Sequence, residues 1–424
     1  MPCLQVYVKG GDSTKYIKDP IHGYIKINNF ELSIIETRPL QRLRRIKQLA
    51  GSEYVYPGAI HTRFEHSIGT MHMAGLMAET LKDLGVDVVQ LSRLQGLLHD
   101  VGHGPFSHTF EPVLEEICGL SHEDMTQKIV KETEIADILS KNGFDPAEVA
   151  DYSIGRGKTR YQNQIIRSPF DADKLDFTMR DSYHTGAGYY VDAYRIAYNL
   201  GIIDNSLGLN IKALPTLESL LISRLLSFRS IYFHKTSRAA QVMLTRAMKI
   251  VSDKLEVEEA TKDVEKYLQL DDYTVWNVIR SDPRTRNIFE DLANRRLLKV
   301  AYEDVLYRRE GDLALLEKKS IVESIRDEIA DRSGVPREEI YIDTPLLRTL
   351  PVEDISSEII FFSSEGEGIK RVNADEISPI IYQLRRTVMS TLRVYTRKEN
   401  VEKVKKASEE VFKGRSSFYY RVSY

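Results

Sequence analysis

The spacing of apolar and polar residues changes character along the chain. Residues 3–9 and 23–28 alternate apolar and polar in the manner of short strands, with Gly10, Gly11 and Asp12 between them, so the pattern predicts an N-terminal β-hairpin within residues 1–30. From Glu31 the spacing turns helical. Leu40, Leu43 and Ile46 share one stripe, Thr37 stands as an N-cap and Pro39 falls in the first turn, which predicts a helix from Arg38 to Lys47 carrying Arg42, Arg44 and Arg45. Further helices are predicted over about 65–84, 88–100, 121–131, 174–182 and 217–249, and Ser121 and Asp124 have capping-box spacing. Residues 31–250 therefore read as an all-helical core. Amphipathic spacing through 272–280 and 283–298 continues it as a helical extension over 251–333. After Gly334, strand-like stretches at 340–342, 358–362 and 391–395 stand among helical runs at 376–387 and 398–412, predicting a small α/β lobe over 334–424 for assembly or regulation. The expected fold class is mainly α.

Composition narrows what such a fold can do. At 424 residues, with 42% apolar and 29% charged positions, the chain has the material for a large buried core and lacks the signature of disorder. Lys and Arg number 59 against 62 Asp and Glu, a net charge of -3, so any grip on a polyanion must come from a local basic cluster and broad nucleic-acid coating is not expected. Only Cys3 and Cys118 occur, which makes disulfides no part of the design and a reducing cytoplasm the expected compartment. The first thirty residues lack the order of a signal peptide, and no apolar run reaches the length of a membrane span.

Seven of the ten histidines crowd into positions 61–122. Imidazole is both the commonest neutral metal ligand and a proton carrier near neutrality, so the crowding points to metal binding, proton transfer or both. In LLHDVGHGPFSH an apolar helix ends at Leu98 and delivers His99 and Asp100 together, after which Gly102, Gly104 and Pro105 force an irregular turn. The pair can converge on one ion at that frayed end. Donors from elsewhere complete a mixed site: His66 in TRFEHS and Asp173 in SPFDADKLD. Two imidazoles with two carboxylates suit Mn, Fe, Co, Ni or Zn better than Ca and leave positions open for water and substrate.

Five blocks in order, DPIHGYIKI, QRLRRIKQLAG, YPGAIHTRFEHSIG, LLHDVGHGPFSHTFE and DADKLDFTMRDSYHTG, resemble the HD-domain phosphohydrolases over about residues 18–235. The resemblance is closest to the SAM-and-HD-domain type of deoxynucleoside triphosphate triphosphohydrolase, here without a SAM domain. It implies an HD-domain helical core and His66, His99, Asp100 and Asp173 as metal ligands. It implies that His103, His108, Glu111 and His122 lie beside the phosphates, with His122 as proton donor held by an acidic partner. Glu111 stands where the family has the shorter Asp. The same resemblance implies that Gln48 meets the sugar 3′-hydroxyl, that Leu49 crowds the 2′-carbon against ribose, and that Asp181 makes a second sugar contact. Arg63, Lys174 and Arg224 match phosphate-binding residues, Tyr232 matches an aromatic stacked on the base, and Phe177 stands where relatives have Tyr. A deoxynucleoside triphosphate would then be split into deoxynucleoside and inorganic triphosphate, with Mg bound to the substrate phosphates. Relatives also imply a homo-oligomer, dimer or tetramer, with activating nucleotides at subunit interfaces; Gln41 and Arg44 stand where one would be read, while Lys18 replaces an Asn before DPIHG.

Two other readings stay open on the residues. An HD phosphohydrolase could act on a nucleoside monophosphate, a cyclic nucleotide or GTP, since fold does not settle substrate. A non-catalytic nucleotide sensor or single-strand binder could use the basic helix and the tyrosine-rich tail SSFYYRVSY, and its binding would be salt-sensitive and indifferent to the metal ligands.

Overall fold

The computed structural model describes residues 14–81, 85–308, 319–348, 359–363, 370–385 and 388–413. The fold is mainly α, with a short two-stranded sheet near the N-terminus and two small sheets drawn largely from the C-terminal part. The buried centre is the helix Arg63–Thr80, packed against the helices Val86–Leu98 and Ala172–Thr185. Thr62 and Glu65 form a capping box at its start, and most of its side chains are buried, so the helix is a core rod rather than a surface element. Gly69 is the position that lets the Ala172–Thr185 helix come close: a Cβ there would stand 1.9 Å from the Asp176 carboxylate and 2.4 Å from the Arg180 guanidinium.

The N-terminal hairpin differs from the expected one. Strand β1 (Lys15–Asp19) pairs antiparallel with β2 (Gly23–Ile27), and the turn is made by Asp-Pro-Ile-His rather than Gly10 to Asp12. Asp19 Oδ1 accepts from the backbone N–H of Ile21 at 2.8 Å and of His22 at 2.9 Å, a job for which Asp followed by Pro is well suited. The expected strand at 3–9 lies outside the described residues.

The basic helix is shorter than its periodicity suggests. Helix Arg38–Arg42 gives way to a tighter turn at Leu43–Arg45, and Ile46 is extended, because Lys47 pairs as a bridge with Thr62. Arg42 is fully buried, donating through Nε to the Leu270 carbonyl at 2.9 Å with its plane 5.0 Å from the Tyr267 ring, so the arginines do not form one solvated face. The block at 217–249 is two helices, Leu214–Ser227 and Lys235–Ile250, separated by a π-turn at Phe228–Tyr232.

Three strands interrupt regions read as helical. β3 (Leu200–Ile203) and β4 (Ser206–Asn210) form a hairpin inside the core region, and β5 (Lys299–Arg308) falls inside the expected helical extension. The other partner of β4 and the partner of β5 are remote in sequence. β6 (Tyr341–Asp343), β7 (Leu346–Arg348) and β5 pair with β10 (Val388–Thr396), while β8 (Ile360–Ser363) joins β4 in parallel and β9 (Lys370–Asn373) lies outside it. Residues 334–413 are thus shared between two sheets, one of them anchored in the helical core. The helices Lys319–Ser333 and Val401–Lys413 pack together over the β5 sheet. The tail SSFYYRVSY lies outside the described residues. No described helix is long and apolar enough to cross a membrane.

Candidate active site

The helix Arg63–Thr80 places His66 in its second turn, fully buried. The helix Val86–Leu98 ends with His99 as its C-cap residue, and the following turn presents Asp100 beside it. The helix Ala172–Thr185, capped by Asp171, places Asp173 in its first turn. From these three sources one nitrogen or oxygen of each side chain converges. His66 Nε2 lies 3.2 Å from His99 Nε2, 3.5 Å from Asp100 Oδ2 and 3.0 Å from Asp173 Oδ1, while His99 Nε2 lies 3.3 Å from Asp100 Oδ2 and 3.7 Å from Asp173 Oδ1. Ligands about 2.1 Å from one ion would stand roughly 3.0 to 3.4 Å apart; His66, His99 and Asp100 are close enough together to hold an ion, and Asp173 stands beside them.

The ring orientation makes the case chemically. His66 Nδ1–H donates to Asp176 Oδ2 at 2.8 Å and His99 Nδ1–H donates to the Gly96 carbonyl at 2.8 Å, leaving both Nε2 atoms to face the carboxylates. Lone pairs would then confront lone pairs unless a positive charge sat between them. The same field shows in the His66 ring: burial works against its charged form, yet its hydrogen bonds to Asp173 and Asp176 and the Asp100 charge pull it up to about 10. For Asp100, burial is outweighed by Arg63, His99 and His103, which hold it well below the usual carboxylate range. The donor set fits a divalent transition ion.

Asp176 is also the hub of a buried network. Its Oδ1 accepts from His22 Nε2 at 2.7 Å, Arg180 grips both oxygens at 2.8 and 2.9 Å, and Arg180 reaches Asp19 at 2.9 Å. The Tyr194 hydroxyl donates to His22 Nδ1 at 2.9 Å. The Asp-Pro-Ile-His turn therefore buttresses the His66 ring through Asp176, 154 positions further along the chain than His22.

A cavity of about 700 Å³ opens from this cluster. On one side stand His103, His108 and His122, with the His103 and His122 rings stacked at 4.0 Å and 11°. Glu111 sits behind them rather than in the wall and meets His122 Nδ1 as an ion pair rather than an aligned hydrogen bond. For His122, burial is outweighed by the adjoining Glu111 carboxylate, so its pKa is raised, whereas burial, then Arg63 and His122, drive His103 well down. The loop that carries them is strained: Phe106 and Ser107 both adopt left-handed backbone at φ 58° and 54°. Asp272 accepts from Phe106 N at 2.6 Å and Lys47 N at 3.0 Å, and so ties that loop to the Gln48 segment.

On the other side lie Gln48, Leu49, Phe177, Asp181 and Tyr232. Leu49 is buried against Ala59 and Ile231, with Tyr232 packed beside them. Asp181 Oδ1 accepts from His61 Nε2 at 2.7 Å and its Oδ2 from the Tyr232 hydroxyl, while Tyr232 closes on Phe228 at 4.6 Å and meets Phe177 edge-on at 6.4 Å. The π-turn is what rotates Tyr232 out of helical register toward the cavity. Of the expected phosphate contacts, Arg63 lines the cavity, bonded to Asp100 and to Ser107 Oγ at 2.9 Å, with NH2 buried and unpartnered. Lys174 lines it too, its ammonium donating to Asp171 at 2.6 Å. Arg224 does not reach the wall; its Nε is buried without a partner, and Asp171 and Asp173 are the nearest charges acting on it.

Sequence reasoning missed Asp176, His22, Arg180, Phe228, Ser107 and Asp272. A signal existed for the first, which sits three residues after Asp173 and so faces the same way on a helix. Nothing local marks Asp272.

A buried His-Asp pair at a helix end, with a histidine and an aspartate from two other helices beside a cavity, is a cluster that could hold a metal ion in the manner of HD domains. The HD domain family matches residues 63–176 and the HD associated region matches residues 191–417, and the chain belongs to the HD-domain phosphohydrolase family. An uncharacterised protein of Methanocaldococcus jannaschii is 32% identical over 398 residues, 92% of this chain and 81% of that protein. A Dictyostelium discoideum protein named deoxynucleoside triphosphate triphosphohydrolase SAMHD1 homolog is 27% identical over 433 residues, 95% of this chain and 81% of its own. Among solved structures, a hypothetical protein of Aquifex aeolicus superposes with a TM-score of 0.76 at 30% identity, covering 93% of this chain and 99% of that one.

Proposed function

We propose that the chain is a metal-dependent hydrolase that splits a deoxynucleoside triphosphate into deoxynucleoside and inorganic triphosphate. The observation that carries the proposal is the placement of the four-donor cluster between a histidine wall and an aromatic wall in one cavity of about 700 Å³. A nucleotide has the same polarity, polyanion at one end and flat base at the other. His66, His99, Asp100 and Asp173 would hold the ion, one of Mn, Fe, Co, Ni or Zn. Such an ion supplies Lewis acidity at a phosphoryl group and lowers the pKa of water from about 16 toward about 7.

The chain's own residues supply the rest. A triphosphate brings about four negative charges, and Arg63 and Lys174 lie in the wall to balance them, with Mg on the phosphates as a further counter-charge. His122, kept protonated by Glu111, is placed to hand its proton to the departing nucleoside 5′-oxygen. His103 and His108 line the path of the phosphates. Leu49 crowds the sugar's 2′ side, Gln48 presents a buried and unpartnered Oε1 to a sugar hydroxyl, and Asp181 offers a second sugar contact. Tyr232 gives the base a stacking face, and Phe177 shapes the sugar's surroundings without a hydroxyl. Support for the substrate class comes from the Dictyostelium relative's name and from this wall. Homo-oligomers with nucleotide activators at their interfaces belong to the same proposal.

Product identity tests it. The purified chain incubated with each dNTP and each NTP in Mn and Mg should release inorganic triphosphate and deoxynucleoside from the dNTPs and turn the NTPs over far more slowly. Release of orthophosphate or pyrophosphate, or turnover confined to monophosphates, contradicts it.

A further inference from the structure

Behind the histidine wall lies a second convergence of donors. Glu111 Oε1 stands 3.8 Å from His103 Nδ1 and 3.6 Å from His108 Nδ1, and touches His122 Nδ1. Three ring nitrogens thus face one carboxylate oxygen. His103 Nδ1, His122 Nδ1 and Glu111 Oε1 are buried, and none has a hydrogen-bond partner. His103 is also committed elsewhere, since its Nε2 lies 3.3 Å from Asp100 Oδ1 and donates there, which leaves Nδ1 with a lone pair aimed at the lone pairs of Glu111. A group that accepts electron pairs resolves that confrontation.

One donor atom each from His103, His108 and Glu111 lies within 4.8 Å of the others. Ligands of a tetrahedral ion stand about 3.4 Å apart, and the Glu111 oxygen lies within a few tenths of an ångström of that from both His103 Nδ1 and His108 Nδ1. His108 is 70% exposed at the cavity mouth and gives an ion its way in. Glu111 is what makes the reach possible, because its carboxylate, one methylene longer than an aspartate's, spans to all three rings.

We propose that His103, His108 and Glu111 form a second, inhibitory site for a divalent transition ion, Zn²⁺ foremost, separate from the His66, His99, Asp100 and Asp173 centre. Two imidazoles and one carboxylate leave a fourth position for water and favour Zn²⁺ or Co²⁺ over Mg²⁺, which prefers oxygen. An ion there engages His103 and His108, which line the cavity where the proposed reaction would hold the phosphates, and draws the Glu111 carboxylate away from His122. Binding of the ion does not depend on the proposed reaction; only the inhibition rests on that reading.

The test uses the full chain already loaded with one equivalent of metal and titrates it with Co²⁺, followed by visible absorption and calorimetry, for wild type, His108→Ala and Glu111→Gln. Wild type should take up one further equivalent, Zn²⁺ should displace it, and both variants should bind it at least about tenfold more weakly while retaining the first ion. Saturation of wild type at one ion per chain overturns the site, as does a second equivalent bound equally well by both variants. In the same preparations, excess Zn²⁺ but not Mg²⁺ should lower wild-type turnover about tenfold or more. A second ion that binds without slowing turnover overturns the inhibitory role. The ion count reads the site even if dNTPs prove not to be substrates.

Discussion

Asp176 accepts the Nδ1–H of His66 at 2.8 Å, and this bond decides which face of the ring is turned to the metal cluster. The same carboxylate is gripped by Arg180 and His22, so its position is fixed by the hairpin as well as by its own helix. Asp176→Asn keeps the shape but weakens the orientation of His66. Bound metal after dialysis against a chelator should fall with an affinity loss of about 10- to 100-fold. Unchanged metal retention in a folded variant contradicts this role.

The Glu111 and His122 pair sets a pH limb. Burial disfavours the charged imidazole, but Glu111 more than offsets it and raises the His122 pKa above its ordinary 6.5. The protonated acid is therefore present below that raised value and is lost as pH rises through it, so kcat/KM should decline on the alkaline side. Glu111→Gln removes the main raising influence and should move that limb to lower pH. A limb that stays in place in the variant would separate Glu111 from proton transfer.

Leu49 is buried among Ala59 and Ile231 and packs beside Tyr232, which leaves it no room to retreat from a 2′-hydroxyl. Leu49→Ala should relax discrimination between dATP and ATP, measured as the ratio of kcat/KM values. The expected loss is about 1 to 2 kcal/mol, roughly 5- to 30-fold. An unchanged ratio places the sugar selection elsewhere.

Asp272 links the strained Phe106 loop to Lys47, and burial is the first cause of a pKa pushed up to about 7. The folded chain then holds a proton that the unfolded chain has released between about pH 4 and pH 7. Stability should decline as pH rises through that window, by at most about 1.4 kcal/mol per unit. Asp272→Asn should flatten the decline while costing one of two backbone hydrogen bonds. Urea midpoints at pH 4.5 and 7.5 check this; an equal difference between wild type and variant at both values contradicts it.

What could be read from the sequence was local. The capping box at Ser121 and Asp124 forms as spaced, because both partners lie within one turn. The His99 and Asp100 pair stands at a helix end because Gly102 and Gly104 follow it, and a Cβ at Gly102 would meet the His122 carbonyl at 2.2 Å. Features that depend on remote partners left no local trace. β4 lies beside β8 across about 150 residues of chain, and Arg42 is drawn inward by the Leu270 carbonyl and the Tyr267 ring. The wall positions of Phe228 and Tyr232 needed the π-turn, which no spacing rule marks. The longer Glu111 side chain meets His122 Nδ1, so the acidic partner that the sequence left in doubt is present.

The central claim is that His66, His99, Asp100 and Asp173 hold one ion on which hydrolysis depends. Metal-stripped wild type and Asp173→Ala can be titrated with Mn²⁺ while bound metal per chain and dNTP turnover are recorded together. Wild-type turnover should rise in proportion to the first equivalent bound, and the variant should lose tight binding and on the order of a thousandfold in rate. Full turnover in the metal-free chain, or in the variant with no tightly bound ion, would contradict the account.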